Sequence, residues 1–248
     1  MNGDLWLWPI CGAVLLLAGF VKGVIGLGLP TISIGLLGLV MAPLQAAALL
    51  VIPNFVTNIR QLAIGEPVGA LIRRLWPLLA GIALGTFAGT LTLPLDSPAW
   101  AIAALGVVLV LYAGVGLATS ELRVPPAAER WAGPLVGFVT GLVTVATGVF
   151  VIPAVPYLQA LGLSRNLLVQ ALGLSFLTSA IALTPAIVTT GDLTLPVAAA
   201  SLLALAPALA GMALGQVCRD RISRTAFRRA FFGGLLLLGF YLAVRVGL

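Results

Sequence analysis

Lys22-Gly23-Val24-Ile25-Gly26-Leu27-Gly28-Leu29-Pro30-Thr31 interrupts a long apolar run near the start of the chain. Glycine permits sharp turns and close backbone approach, and proline suits the first turn of a helix. The stretch therefore predicts a break near Gly26–Gly28 and a new helix from about Pro30. The free N–H groups and the dipole at the start of that helix would favour an anion. Glycines also let helices pack closely in lipid, and taken alone such a pattern is more commonly packing than binding.

The composition identifies the solvent that surrounds this run. Of 248 residues, 61% are hydrophobic and 8% charged, with a mean hydropathy of +1.18. A soluble domain carries about 25% charged residues because it must cover a wet surface. Thirteen basic and seven acidic side chains cannot do that for a body of this size, so its main partner is the lipid bilayer. A span takes about 20 apolar residues, and with short loops the chain holds roughly eight to ten membrane elements.

Several other classes lose their chemistry at once. There is no His, and Cys11 and Cys218 are far apart, so zinc, haem and a Cys-pair redox centre lack their usual ligands. No metal or cofactor is expected, and the cysteines read as small buried hydrophobes. Without His, a paired intramembrane carboxylate or a nucleophile beside a base, an enzyme is not expected either. Met1-Asn2-Gly3-Asp4 places an acid where a signal peptide needs a basic segment, so the first apolar run reads as permanent. The net charge of +6 lies in short loops between apolar runs, a positive-inside pattern rather than a nucleic-acid surface.

The chain reads as duplicated. Gly19-Phe20-Val21-Lys22-Gly23 returns as Gly137-Phe138-Val139-Thr140-Gly141, and Asn54-Phe55-Val56-Thr57-Asn58 as Ser175-Phe176-Leu177-Thr178-Ser179. Gly65-Glu66 returns as Gly191-Asp192, and Ala80-Gly81-Ile82-Ala83-Leu84-Gly85 as Ala210-Gly211-Met212-Ala213-Leu214-Gly215. Order is kept throughout. Each half opens with a long apolar stretch, 5–42 or 131–160, followed by three ordinary spans. These lie near 45–63, 75–94 and 98–118, then 166–188, 194–216 and 229–247. The expected organisation is a first transmembrane repeat over 1–118, a cytoplasmic linker over 119–130 and a second repeat over 131–248.

Charge decides how the long stretches run. If each crossed once, giving eight spans, the basic residues other than Lys22 would divide six against six. The positive-inside rule makes that improbable. If each stretch enters and returns to the same side, Arg60, Arg73, Arg74, Arg123, Arg130, Arg165 and the five arginines of 219–229 share the cytoplasmic face. Arg245 then lies outside with Asp4, Asp96 and Asp192. Counting each long stretch as two limbs of about 15 residues, a half has an odd number of elements, so the halves have opposite orientations. Both termini are expected outside. Whether the limbs span fully or meet as a re-entrant hairpin stays open.

The second hairpin offers Thr140, Thr144, Thr147 and Gly148 before Val149-Phe150-Val151-Ile152-Pro153. Its hydroxyls either bond a ligand or back-bond to their own helix. Breaks at corresponding positions in both halves are a pointer to a transporter's site. Asn54, Thr57 and Asn58 share one helix face. With Gln170, Ser175, Thr178 and Ser179 they form a matched pair of polar clusters, either interhelical glue or a cavity lining. Lys22 is the one ionisable residue deep in the hydrophobic sequence, which makes it a functional candidate. It either lies in an anion path or snorkels to a wet vestibule. Arg165 reads as a topology charge. The candidate binding set is Lys22, Gly26, Gly28, Pro30, Thr31, Asn54, Asn58, Thr144, Thr147, Gly148, Gln170, Ser175 and Thr178.

The two glycine-rich stretches, Gly19 through Gly28 and Gly137 through Pro153 followed by Leu161-Gly162-Leu163-Ser164, resemble those of the sulfite exporter TauE/SafE family, also called the toluene sulfonate uptake permease family. The similarity covers nearly the whole chain. Leu29-Pro30 and Thr147-Gly148-Val149-Phe150 are poorer in glycine than the family pattern. The resemblance implies a multi-pass transporter of a bacterial inner membrane that moves sulfite, sulfonates or sulfoacetate-like anions. An anion would sit between the hairpins near the midplane and be exposed alternately to each side. An anion channel and a non-transporting scaffold or accessory subunit are the alternatives, and a homo-oligomer is consistent with the same composition.

Overall fold

The computed structural model describes residues 7–63, 67–95, 97–118, 123–219 and 221–245, with backbone only for Leu7 and Arg224. Gly65-Glu66, Asp4, Asp96, Glu121 and both chain ends lie outside the described residues, as does the first part of the expected linker. The described chain is all α-helical. Its elements are α1 (Leu7–Ile25), α2 (Leu29–Leu37), α3 (Pro43–Leu49), α4 (Val51–Leu62), α5 (Val68–Thr92) and α6 (Pro98–Leu117). They continue as α7 (Pro126–Thr147), α8 (Ala154–Ala160), α9 (Arg165–Thr189), α10 (Leu195–Cys218) and α11 (Arg224–Arg245). Six of these, α1, α5, α6, α9, α10 and α11, are long and apolar enough to cross a membrane. Large apolar side chains face outward along them, among them Leu91, Leu203 and Leu237. In water such a surface would drive aggregation; in lipid it is the expected solvent contact.

Both long stretches are broken where the glycines predict. Gly26 and Gly28 take φ of +80° and +109°, a region that glycine enters without a Cβ clash, and Gly28 caps α2. Pro30 occupies the first turn of α2. Gly148, at φ +71°, ends α7, and a short non-helical segment leads to α8. The limbs are unequal, however: α1 has 19 residues against 9 in α2, and α7 has 22 against 7 in α8. The expectation of about 15 residues per limb is corrected: Pro134 and the earlier glycines are carried within α7 and α1, and the helices run on to the positive-φ glycines Gly148 and Gly26.

A second correction concerns the span expected near 45–63. It is split at Leu50 into α3 and α4. Pro53 has no N–H for the carbonyl of Leu49. The Ile52 N–H leaves the helical ladder and donates to Ser201 Oγ on α10 at 3.0 Å. At the other expected boundary, α7 starts at Pro126, so the end of the expected 119–130 linker is already helical. There Arg74 of α5 meets Glu129 of α7, with Arg74 Nε donating to Oε2 at 3.0 Å and Nη2 to Oε1 at 2.6 Å.

Packing shows what the repeated glycine motifs are for. Gly19 and Gly23 on α1 lie against the backbone of Ala208, Met212 and Gly215 on α10. In the same manner Gly81 and Gly85 on α5 lie against Pro134, Gly137 and Phe138 on α7. The first glycine motif of each half is thus seated on the other glycine motif of the opposite half. A Cβ at any of these positions would drive into backbone, so only glycine allows the approach.

The same contacts give directions. Later residues of α1 meet later residues of α10, and α5 and α7 match likewise, so both pairs run parallel. Between α4 and α9, Leu62 meets Gln170 and Asn58 meets Gly173, which makes that pair antiparallel. Between α6 and α11, Gly106 meets Ala243 and Gly116 meets Phe232 and Arg228, again antiparallel.

Candidate anion site at the first helix break

Lys22 lies in the last turn of α1, one turn before the break, and is 1% exposed. Its Nζ donates to Thr57 Oγ1 at 3.0 Å and to Asn58 Oδ1, both on α4. An ammonium has three donors; two are used by neutral protein oxygens. The Thr57 hydroxyl donates in turn to the Pro53 carbonyl at 2.7 Å, leaving its lone pairs to Lys22. One turn further along α4, Gln61 Nε2 donates to the Gly26 carbonyl at 2.6 Å. That carbonyl follows the end of α1 and has no helical partner of its own. Gln61 therefore ties the broken end of α1 to α4. Gln170 does the same for α4, its Nε2 donating to the Leu62 carbonyl at 3.1 Å.

These groups border a cavity of about 80 Å³. Lys22, Gly23 and Gly26 form one wall, Gln61 another, and Asn166, Val169, Met212, Gln216 and Arg219 close it from α9 and α10. A water occupies about 30 Å³ of liquid, so the cavity holds a few waters or one small oxyanion. The described residues lining it include two cations and no carboxylate. An ammonium taken out of water without a counter-charge costs several kcal/mol. This pocket is therefore a place where an anion gains more than it would at the surface.

The expected site residues divide into groups. Lys22, Gly26 and Asn58 come together here, with Gln170 bracing the end of α4. Gly28 lies instead against Val21, Ile32 and Phe231, an apolar setting, and Pro30 and Thr31 follow it into the core. Asn54 and Ser175 are buried on α4 and α9, and Asn54 Oδ1 and Ser175 Oγ find no hydrogen-bond partner among the described residues. Thr178 is half-buried on α9.

The second break is elsewhere. Thr140, Thr144 and Thr147 each donate to the carbonyl four residues earlier at 2.7 Å, the back-bonding use of a helical threonine. The Val149 N–H is satisfied by Thr147 Oγ1 at 3.2 Å. Gly148 lies against Pro43, Ala47 and Ile34. Gly26 lies against Gln61 and Val169. Pro43 opens α3 and Gln61 lies near the end of α4, so Gly26 and Gly148 are seated against opposite ends of the split span, while Ile34 of α2 also touches Gly148.

Gln61, Asn166, Gln216 and Arg219 are absent from the expected set. Gln61 continues the face of Asn54, Thr57 and Asn58 at helical spacing, so the signal was present. Gln216 follows the second glycine motif, and its role depends on α1 lying beside α10. Arg219 belonged to the cytoplasmic charge cluster.

A bundle of long apolar helices with broken limbs and a buried lysine beside a polar cavity defines a multi-pass membrane protein. The sequence profile of the family described as Sulfite exporter TauE/SafE matches residues 11–242, and the chain belongs to that family. No protein of curated function and no solved structure matches it.

Proposed function

We propose that this protein exports a small oxyanion of the sulfite type, holding it at Lys22 beside the first helix break. The observation that carries the reading is the buried Lys22 ammonium, paired among the described residues only with the neutral oxygens of Thr57 and Asn58, at the wall of a polar cavity. The family membership adds sulfur oxyanions as the substrate class. Asn166, Gln216 and Gln61 would offer amide hydrogen bonds to the anion's remaining oxygens.

Alternating access follows from the two halves lying in the membrane in opposite orientations, each cross-packed on the other through its glycine motifs. The antiparallel α4–α9 and α6–α11 pairs support this, because they are counterparts in the two halves and halves of like orientation would make both parallel. Rocking one half against the other would open the site first to one side and then to the other. An inside-negative potential favours anion exit by about 2.3 kcal/mol per charge per 100 mV, so export of a monoanion needs no coupling ion. The membrane is a bacterial inner membrane in this reading, with both termini outside.

The test is flux in proteoliposomes at a fixed potential with sulfite, methanesulfonate and acetate. Sulfite should move in a potential-dependent way, and Lys22→Gln should abolish movement without loss of folded protein. Undiminished sulfite flux through Lys22→Gln would overturn the assignment of the site. No anion movement in the wild type would overturn the function.

A further inference from the structure

Along the crossing of α5 and α7 lies a groove of about 800 Å³ on the outside of the bundle. Its floor is half-buried Pro77, Ala80 and Pro134, beside the point where the two backbones meet at Gly81. Its rims are Trp76, Leu84 and Leu135, all exposed on the apolar outer surface. From Trp76 to Leu84 the groove runs about 12 Å at 1.5 Å per helical residue. That is close to the depth of one leaflet, half of a hydrocarbon core about 30 Å thick.

Charge stands at one end of this groove. Arg130 lines it, and Arg73 lies one turn before Trp76 and Pro77 on the same face of α5. Because α5 and α7 run parallel, both arginines mark the same end. No carboxylate lines the groove among the described residues. Glu129, next to Arg130 in the chain, is occupied by both guanidinium bonds from Arg74, which also tie the starts of the two helices together. Arg73 and Arg130 are exposed and have no ion-pair or hydrogen-bond partner among the described residues.

The counterpart pair, α1 and α10, supplies the contrast. Between them lies a recess of about 280 Å³ walled by Trp8, Leu15, Ala204 and Pro207, with no charged residue among those described. An apolar recess in a lipid-embedded surface takes an acyl chain from any lipid. Arginines at its end add a preference for a negative head group, and a guanidinium suits a phosphate in particular. A topology charge needs no groove beside it, and an acyl groove needs no cation. On α5–α7 the two coincide.

We infer that the α5–α7 groove is a binding site for an anionic phospholipid, whose phosphate lies between Arg73 and Arg130 and one of whose acyl chains runs past Trp76 and over Ala80 toward Leu84. The site belongs to the lipid-facing surface and does not depend on the transport reading.

The experiment uses the full chain with Trp76 as its sole tryptophan, Trp6, Trp8, Trp100 and Trp131 being replaced by phenylalanine. It is reconstituted in bilayers containing phosphatidylglycerol or phosphatidylcholine with brominated acyl chains, which quench an indole only at short range. Phosphatidylglycerol should win the position at Trp76, by about fivefold for each arginine engaged. Arg73→Gln with Arg130→Gln should abolish that preference and leave quenching by phosphatidylcholine unchanged. A companion protein that keeps only Trp8, at the uncharged recess, should show no preference. Glycerol 3-phosphate should not displace the lipid, which separates a phospholipid from a free phosphate. With all five tryptophans in place, the double substitution should also reduce the phosphatidylglycerol retained in native mass spectra severalfold. Equal quenching by the two lipids at Trp76, or a preference that survives the double substitution, would overturn the proposal. An equal preference at Trp8 would trace the effect to the net charge of the chain and would also overturn it. So would weak quenching by both lipids in a protein that runs as a dimer, since the groove would then belong to a second copy of the chain.

Discussion

Lys22 stands where a membrane protein can least afford an unpaired charge. Its two protein partners are neutral oxygens, and the third ammonium donor is left for whatever enters the cavity. The empty site should therefore be less stable than the occupied one, and by a measurable amount. A ligand at 100 times its Kd stabilises the folded state by about 2.7 kcal/mol, so sulfite should raise the melting temperature of the wild type in a saturable way. Lys22→Gln should lose that response. Without sulfite it should be at least as stable as the wild type, because it removes a buried ammonium yet keeps a donor for Thr57 and Asn58. A Lys22→Gln protein that sulfite still stabilises would show that the ammonium is not the anion's partner.

Among the elements, the crossed glycine motifs make the sharpest demand. A Cβ on Gly85 would run into the backbone of Phe138, and one on Gly211 into that of Leu16. Gly85→Leu and Gly211→Leu should each cut the yield of folded protein severalfold, whereas Gly12→Ala and Gly114→Ala, which face open space, should leave it unchanged. Equal yields for all four would remove close packing as the reason for the motifs. The split at Leu50 makes a smaller demand. Ser201→Ala would strand the half-buried Ile52 N–H and should cost about 1 kcal/mol on unfolding in mixed micelles; no change would mean that the amide finds another acceptor. These elements also mark how far the sequence could be read. Gly26, Gly28 and Gly148 announced the breaks because a left-handed φ has a local signature. Lys22 was legible as the lone charge in an apolar run. The unequal limbs depend on where a helix finds its next breaker, which composition does not weigh. Gln216 in the site wall, and Gly148 at the far end of α3–α4 from Gly26, depend on which helices lie side by side. No residue encodes that singly, although the recurrence of both glycine motifs held half of the answer: each is the other's partner.

At the scale of the whole molecule, the directions of the helix pairs bear on how the chain lies in the membrane. Two halves of like orientation would place α4 beside α9, and α6 beside α11, running the same way; both pairs run oppositely. Aromatic residues agree with this. Trp76 and Trp131 stand near the starts of α5 and α7 beside Arg73, Arg74 and Arg130, while Trp8 and Tyr241 lie at the start of α1 and the end of α11. Trp and Tyr collect at the two faces of a bilayer, and arginine collects on the cytoplasmic one. In the proposed arrangement the first group would lie at the cytoplasmic interface and the second at the outer one. With Cys11 and Cys218 replaced by alanine, a single cysteine at Val124 or at Ser164 should react with a membrane-impermeant maleimide only after the cells are opened. A cysteine at Gly191 or at Ser97 should react in intact cells. The eight-span arrangement gives a different pattern, because a second long stretch that crossed only once would put residue 164 on the face opposite residue 124. Labelling of residue 164 from outside while residue 124 stayed protected would therefore defeat the inverted arrangement, and with it the alternating exposure of the Lys22 pocket that depends on it.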